Sequence, residues 1–221
     1  MKKNILIIGH GNISQQLSCL IDKNKFKILS VSRNNKYNLD NHIEWNWTSN
    51  TDLMIEDKLI ESIVFFPKPS DINRDGYEDG FIKSAENIYK NVSKIGFNKF
   101  ITVSSTRVYE KKHNHKYMEI DSINPKEYRG ILIKKYENIQ KKFYKNRLII
   151  LRFAGLYDDN SKNIPKNHLH RKNAARIIKF FIENKHENNS YEIFNCCEDN
   201  SESNISNEKL KNIGFIYKEY H

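Results

Sequence analysis

Cysteine is scarce in this chain of 221 residues, with three in all. Cys19 stands alone, and Cys196 and Cys197 are neighbours. That pattern makes neither a disulfide framework nor a paired Cys-x-x-Cys metal site, and it fits a reducing, cytoplasmic setting. Long apolar runs are absent too: nothing approaches the roughly 20 residues of a membrane-spanning helix. The start, "MKKNILIIGHGN", is basic, but only four apolar residues precede Gly9. That run is too short for a secretion-signal core and reads as a first strand. Internal repeats, low-complexity tracts and linkers are missing as well, so residues 1–221 are expected to form a single domain.

Acids are outnumbered, 27 against 37 basic residues, for a net charge of +10. The excess is mostly Lys, and its short clusters (Lys111-Lys112, Lys134-Lys135, Lys141-Lys142) sit among acids. Net charge of this kind gives nonspecific attraction to polyanions and says nothing about readout. Nucleic-acid binding is therefore only the third reading; it would require a steep salt dependence of binding.

What is present is ordinary apolar content, ample aromatics and enough chain for a sizeable core. Short apolar runs alternate with longer periodic segments, the pattern of β-α-β units around a parallel sheet. "NILIIG", "FKILSVS", "HIEWNW", "SIVFFP", "KFITVSS" and "RLIILRFAG" read as six successive strands, and "YEIFNCC" as a short late one. In "HIEWNW", Ile43, Trp45 and Trp47 alternate onto one face as packing residues. Helices are expected over residues 12–22, from Glu78 to Ile95 with Gly96 as the terminating glycine, and in "NPKEYRGILIKKYENIQ" with Pro125 in the first turn. Two more follow, in "NAARIIKFFIEN" and over residues 207–213, the last closed by Gly214. The fold class is α/β: a doubly wound, Rossmann-type parallel sheet, with residues 155–221 supplying a small C-terminal, substrate-side portion.

"ILIIGHGNIS" puts Gly9-x-Gly11-x-x-Ser14 between a strand and a helix. The first glycine permits the tight turn, and the second lets backbone approach a pyrophosphate seated on the helix N-terminus. The third position needs a small residue, which Ser14 meets less well than glycine. At the end of the second strand, where an NAD site usually offers a carboxylate to the ribose, the chain has Ser32 and Arg33 and no acid before Asp40. A guanidinium there suits a 2′-phosphate. NADP is the expected cofactor, with NAD the alternative.

The chain resembles the short-chain dehydrogenase/reductase superfamily, nearest its extended and atypical branch of NAD-dependent epimerase/dehydratases. "ILIIGHGNIS" looks like that family's glycine loop, and "FITVSSTRVYE" is similar to Ser-Ser-x-x-Val-Tyr-Gly. "ILRFAGLYDDN" is similar to Leu-Arg-x-x-Gly-x-Tyr-Gly-Pro, "HLHRKNAARII" to Ile-His-x-x-Asp-x-Ala, and "ISNEKLKNIGFIY" to the closing Ser-Asn-x-Lys-Leu-x-x-Leu-Gly-Phe. The resemblance implies cofactor contacts at Gly9, Gly11, Asn12, Ile13, Ser32, Arg33, Phe66, Pro67 and Ser104. It also implies a catalytic hydroxyl at Ser105, substrate-side roles for Tyr109 and His170, a small-molecule substrate, and a homodimer face on the helix after Pro125 and its predecessor.

The same family carries a catalytic Tyr with a Lys four residues later, on one helix face. This chain lacks that dyad: none of its twelve tyrosines is followed by Lys at the fourth position. In the frame set by Pro125 and Glu137, Arg129 stands in place of the Tyr and Ile133 in place of the Lys. Arg129 stays charged and cannot donate a proton, but it is suited to clamp an anion. Tyr128, Tyr109, the substrate itself or water remain as proton donors. Asn173 replaces the family's Asp, and the short "SKNIPKN" segment favours a small ligand over a nucleotide-sugar. The pairs His113/His115 and His168/His170 lack Cys or a well-spaced acid, so no metal is expected. The leading reading is an NADP-binding, epimerase/dehydratase-like oxidoreductase with non-standard acid/base chemistry. The alternative is a catalytically silent dinucleotide-binding sensor or scaffold.

Overall fold

The computed structural model describes residues 2–49, 51–56, 59–110, 115–184 and 189–220. Lys111, Lys112 and His113 lie outside the described residues. The main sheet has seven parallel strands: β1 (Lys3–Ile8), β2 (Phe26–Ser32), β3 (His42–Glu44), β4 (Leu59–Phe65), β5 (Gly96–Ser105), β6 (Leu148–Phe153) and β9 (Glu192–Cys196), in the order β3-β2-β1-β4-β5-β6-β9. Two more strands, β7 (Gly155–Tyr157) and β8 (His168–His170), pair only with each other. The central strands are nearly continuous apolar runs because both faces are covered: Ile5 to Ile8 and all of β6 are buried. α1 (Asn12–Leu20) and α5 (Arg171–Glu183) pack together on one side of the sheet. α2 (Arg74–Tyr77), α3 (Ser84–Val92) and α4 (Tyr128–Tyr144) form the second group. α6 (Glu208–Asn212) lies beside β9. The chain turns one way from β1 to β2 and the other way from β4 to β5, so the sheet splits above β1 and β4, the usual place for a ligand.

Four local expectations are corrected. The third strand stops at Glu44, because Asn46 caps a turn: its side chain accepts from Thr48 N at 3.2 Å and its carbonyl from Ser49 N at 3.0 Å. The helix expected from Glu78 begins earlier, at Arg74, where Asn73 accepts from Gly76 N at 2.8 Å. It then runs through a π-helical turn, Glu78–Lys83, before α3. Gly76 and Gly80 do not break it; a β-carbon at either would collide with the backbone of Asp71 or Lys68. Gly96 does not terminate that helix either: it opens β5. Finally, α4 starts at Tyr128, three residues beyond Pro125, which stands outside the first turn and packs under Gly130.

Among the described residues, one ion pair is fully buried in the core. Arg152 on β6 meets Glu137 on α4 through two hydrogen bonds of 2.9 and 2.7 Å, with side chains 2% and 0% exposed. Glu137 also accepts from Ser104 at 2.7 Å, and Arg152 donates to the Tyr109 hydroxyl at 2.7 Å. Tyr109 donates onward to Asn195 on β9 at 2.9 Å. Burial disfavours the Arg152 cation, but the hydrogen bonds and charge of Glu137 outweigh it and raise the Arg152 pKa. A second buried cation, Lys99, ties β5 to the end of α5 by donating to Phe181, Ile182 and Asn184 carbonyls at 2.8, 3.2 and 2.7 Å. Replacing Glu137 by Gln would leave the Arg152 charge buried without its counter-ion. The expected loss is about 3–5 kcal/mol, read from urea unfolding, while the paired change Glu137→Met with Arg152→Met should cost less than the single one.

Candidate functional site

Gly9 leaves β1 with φ +95°, and a β-carbon there would lie 2.9 Å from the Phe66 carbonyl oxygen and 3.2 Å from its Cβ. Only glycine fits this turn. Gly11, with φ −131°, has open space where a side chain would go, and it forms the N-cap of α1. Ser14 is buried for a local reason: its hydroxyl accepts from Gly11 N at 2.6 Å and donates to Gly11 O at 2.9 Å, which holds the loop against the helix. The first turn of α1 carries no acidic residue, so its free N–H groups face an uncompensated cleft.

That cleft has a volume of about 660 Å³. Gly9, Gly11, Asn12 and Ile13 form its floor with Phe66 and Pro67, and Ser32 and Arg33 stand at one end. Arg33, Lys36, Lys68 and Arg171 reach it as cations, and no Asp or Glu is among its described lining residues. Ser32 is held by hydrogen bonds to Asn34 O at 2.8 Å and to His42 at 2.7 Å. Trp47, which the sequence suggested as packing only, belongs to the cleft wall.

His10, between the two glycines, carried no expectation. It packs on Tyr37 at a ring separation of 5.4 Å, and both its ring nitrogens are buried without a partner. Burial, then the nearby His42, holds its imidazole pKa below the ordinary value. The sequence signal was simply its place inside the glycine loop.

A second cleft of about 830 Å³ adjoins the first, with Val103 and Leu156 lining both. Ser105 opens onto it at the end of β5, its hydroxyl accepting from Arg107 N at 3.2 Å. Ser104 and Tyr109 also border it, but their hydroxyls are engaged in the buried Glu137–Arg152 network. Burial raises the Tyr109 phenol pKa.

The remaining expected site residues lie elsewhere. Tyr128 donates to the Ile72 carbonyl at 2.6 Å, and Arg129 donates to the Tyr128 hydroxyl at 3.1 Å while stacking over Tyr77. Neither lines either cleft. Ile133, in the position of the family's Lys, is buried in the core. His170 is also buried: it caps α5 by accepting from Lys172 N, meets Asp159 at 3.0 Å and stacks on Tyr220. Asn173 clamps the C-terminal segment, bonding both the N–H and the carbonyl of Lys218. Among the described residues, no group of three or more His, Cys, Asp or Glu is gathered to hold a metal. None of the described helices is long and apolar enough to cross a membrane.

No protein-family model and no curated protein sequence matches the chain. Solved structures do. A mutated uronate dehydrogenase superposes with TM-score 0.75 at 14% identity, covering 99% of this chain and 82% of that one. Human epimerase family protein SDR39U1 with NADPH gives 0.71 at 14% identity over 91% and 76%. UDP-glucuronic acid 4-epimerase from Bacillus cereus, in complex with NAD, gives 0.70 at 16% identity over 89% and 78%. The fold is the Rossmann-type fold of these structural neighbours. At such identity the likeness concerns the fold alone.

Two stability predictions follow from the loop. Gly9→Ala should destabilise the protein by about 1–3 kcal/mol through its strained φ and the clash with Phe66, whereas Gly11→Ala should unfold at nearly the wild-type denaturant concentration. For His10, the unfolded chain binds a proton more readily than the folded one. Stability should therefore fall as pH drops from about 7 to about 5. His10→Asn should flatten that part of the unfolding-versus-pH profile.

Proposed function

We propose that the chain is an NAD(P)-binding, epimerase/dehydratase-like oxidoreductase that prefers NADP and acts on a small hydroxyl- or carbonyl-bearing substrate. The observation carrying this reading is the glycine turn feeding a cleft lined by four cations and no carboxylate. NADP brings a pyrophosphate and a 2′-phosphate. The α1 N-terminus suits the first, and Arg33 beside Ser32 suits the second. Phe66, Pro67, Asn12 and Ile13, which line the same cleft, would hold the dinucleotide between those two ends. When bound, the nicotinamide would supply hydride transfer. Ser105, at the strand end that opens on the second cleft, would orient the substrate oxygen by hydrogen bonding.

The proton donor in this reading is water or the substrate itself. Tyr128, Arg129 and His170 are engaged outside the clefts, and Tyr109 already gives its proton to Asn195. The first three serve packing and capping in this account, and Tyr109 belongs to the wall of the second cleft.

A second reading, a dinucleotide-binding protein without turnover, is favoured by one specific observation: both Tyr128 and Arg129 are tied to the Ile72 segment. Calorimetric titration with NADPH and NADH tests the first part of the proposal. The expected result is tighter NADPH binding, lost on Arg33→Ser by about ten-fold or more, and weakened for both cofactors by Gly11→Ala. No binding at millimolar cofactor would sink both readings. Stereospecific hydride transfer to any substrate, abolished by Ser105→Ala, would eliminate the silent alternative.

A further inference from the structure

Arg171 lines the cofactor-side cleft although it comes from the C-terminal part of the chain. It is the first residue of α5, whose opening turn contains no acid. The β7–β8 register sets Tyr157 opposite His170, so Arg171 follows on at Asp158. Its Nε is ion-paired with Asp158 Oδ2 at 3.3 Å, in a geometry that makes no hydrogen bond, and the side chain stays 33% exposed. An anion entering the cleft would supply the hydrogen-bond acceptor that the Asp158 geometry does not.

The sheet order says where that anion is met. Arg33 follows β2, on one side of β1, whereas Val103, also in the cleft wall, lies in β5 on the other side, and Leu156 lies in β7 after β6, paired with the β8 strand that leads into Arg171. Arg33 and Arg171 therefore stand at opposite ends of the cleft. The α1 N-terminus lies between them, packed beside α5. A 2′-phosphate held at Arg33 is out of reach of Arg171, but the central pyrophosphate of a dinucleotide is not. Helix α5 also presents its positive end there.

We propose that Arg171 is a pyrophosphate-binding residue that grips the dinucleotide from the side facing the Gly9–Gly11 loop. The inference rests on the dinucleotide reading above. Through it the C-terminal part of the chain contacts the cofactor as well as the substrate.

The test is calorimetric titration of wild type, Arg171→Gln and Arg171→Lys with NADPH, ADP-ribose and adenosine 2′-monophosphate, with urea unfolding of each variant as a check on folding. Arg171→Gln should weaken NADPH and ADP-ribose by the same factor, about ten-fold or more. It should leave adenosine 2′-monophosphate unchanged, and Arg171→Lys should recover part of the loss. The inference is overturned if Arg171→Gln binds ADP-ribose as wild type does. It is equally overturned if the variant weakens adenosine 2′-monophosphate as much as ADP-ribose, which a general distortion would produce. If wild type binds neither NADPH nor ADP-ribose, the dinucleotide reading itself falls and takes this one with it.

Discussion

The Glu137–Arg152 pair is the constraint on which the substrate side of the molecule depends. It joins α4 to β6, and through Ser104, Tyr109 and Asn195 it reaches β5, the segment after it and β9. Two ions removed from water are stable together when they are well hydrogen-bonded, and here each guanidinium nitrogen of Arg152 and each carboxylate oxygen of Glu137 has a partner. The pair therefore fixes the roll and height of α4 against the sheet. It also decides which hydroxyls remain available. Strand side chains alternate between faces, so Ser104 turns in to Glu137 while Ser105, one residue on, opens onto the second cleft.

The first cleft follows a different logic. Its shape comes from Gly9, whose positive φ lets β1 turn under Phe66, and its charge comes from what is missing. An N-terminal helix turn without acids, ringed by cations, has a field that only an anion can compensate. His10 adds an unpaired imidazole to the same wall. The site is thus held open in a state of unmet polar demand, which is a costly condition for a folded protein unless a ligand answers it.

Helix α4 shows how far side-chain geometry can depart from what a helix's place in the chain suggests. The helix is where the family resemblance puts it. Its first turn, however, is anchored outward, with Tyr128 and Arg129 bonded to the Ile72 carbonyl and stacked around Tyr77. The early helical segment from Arg74 supplies that surface, and it exists because Gly76 and Gly80 let the backbone pass close to residues 68–71. The groups that look like candidate acids and bases are spent on packing one helix against another.

Much of the fold was legible because its signals are local. An unbroken apolar run means a strand covered on both faces, and a glycine between strand and helix means a turn that other residues resist. Six of the seven main-sheet strands, the glycine loop and the cationic end of β2 could be read this way. The third strand was read too long, because Asn46 ends it through a turn that outweighs the alternation of Ile43, Trp45 and Trp47. The helix before β5 was read as starting at Glu78, because the cap that starts it earlier, Asn73 accepting from Gly76 N, lies outside the apolar period. The same limit hid His10 and Arg171 as cleft residues, and it left Tyr128, Arg129 and His170 looking available. Sequence alone determined the sheet, the turn and the absence of a Tyr–Lys pair. Tertiary structure decided which polar groups face a cleft and which are consumed, because hydrogen bonds between residues tens of positions apart are settled only when the elements pack.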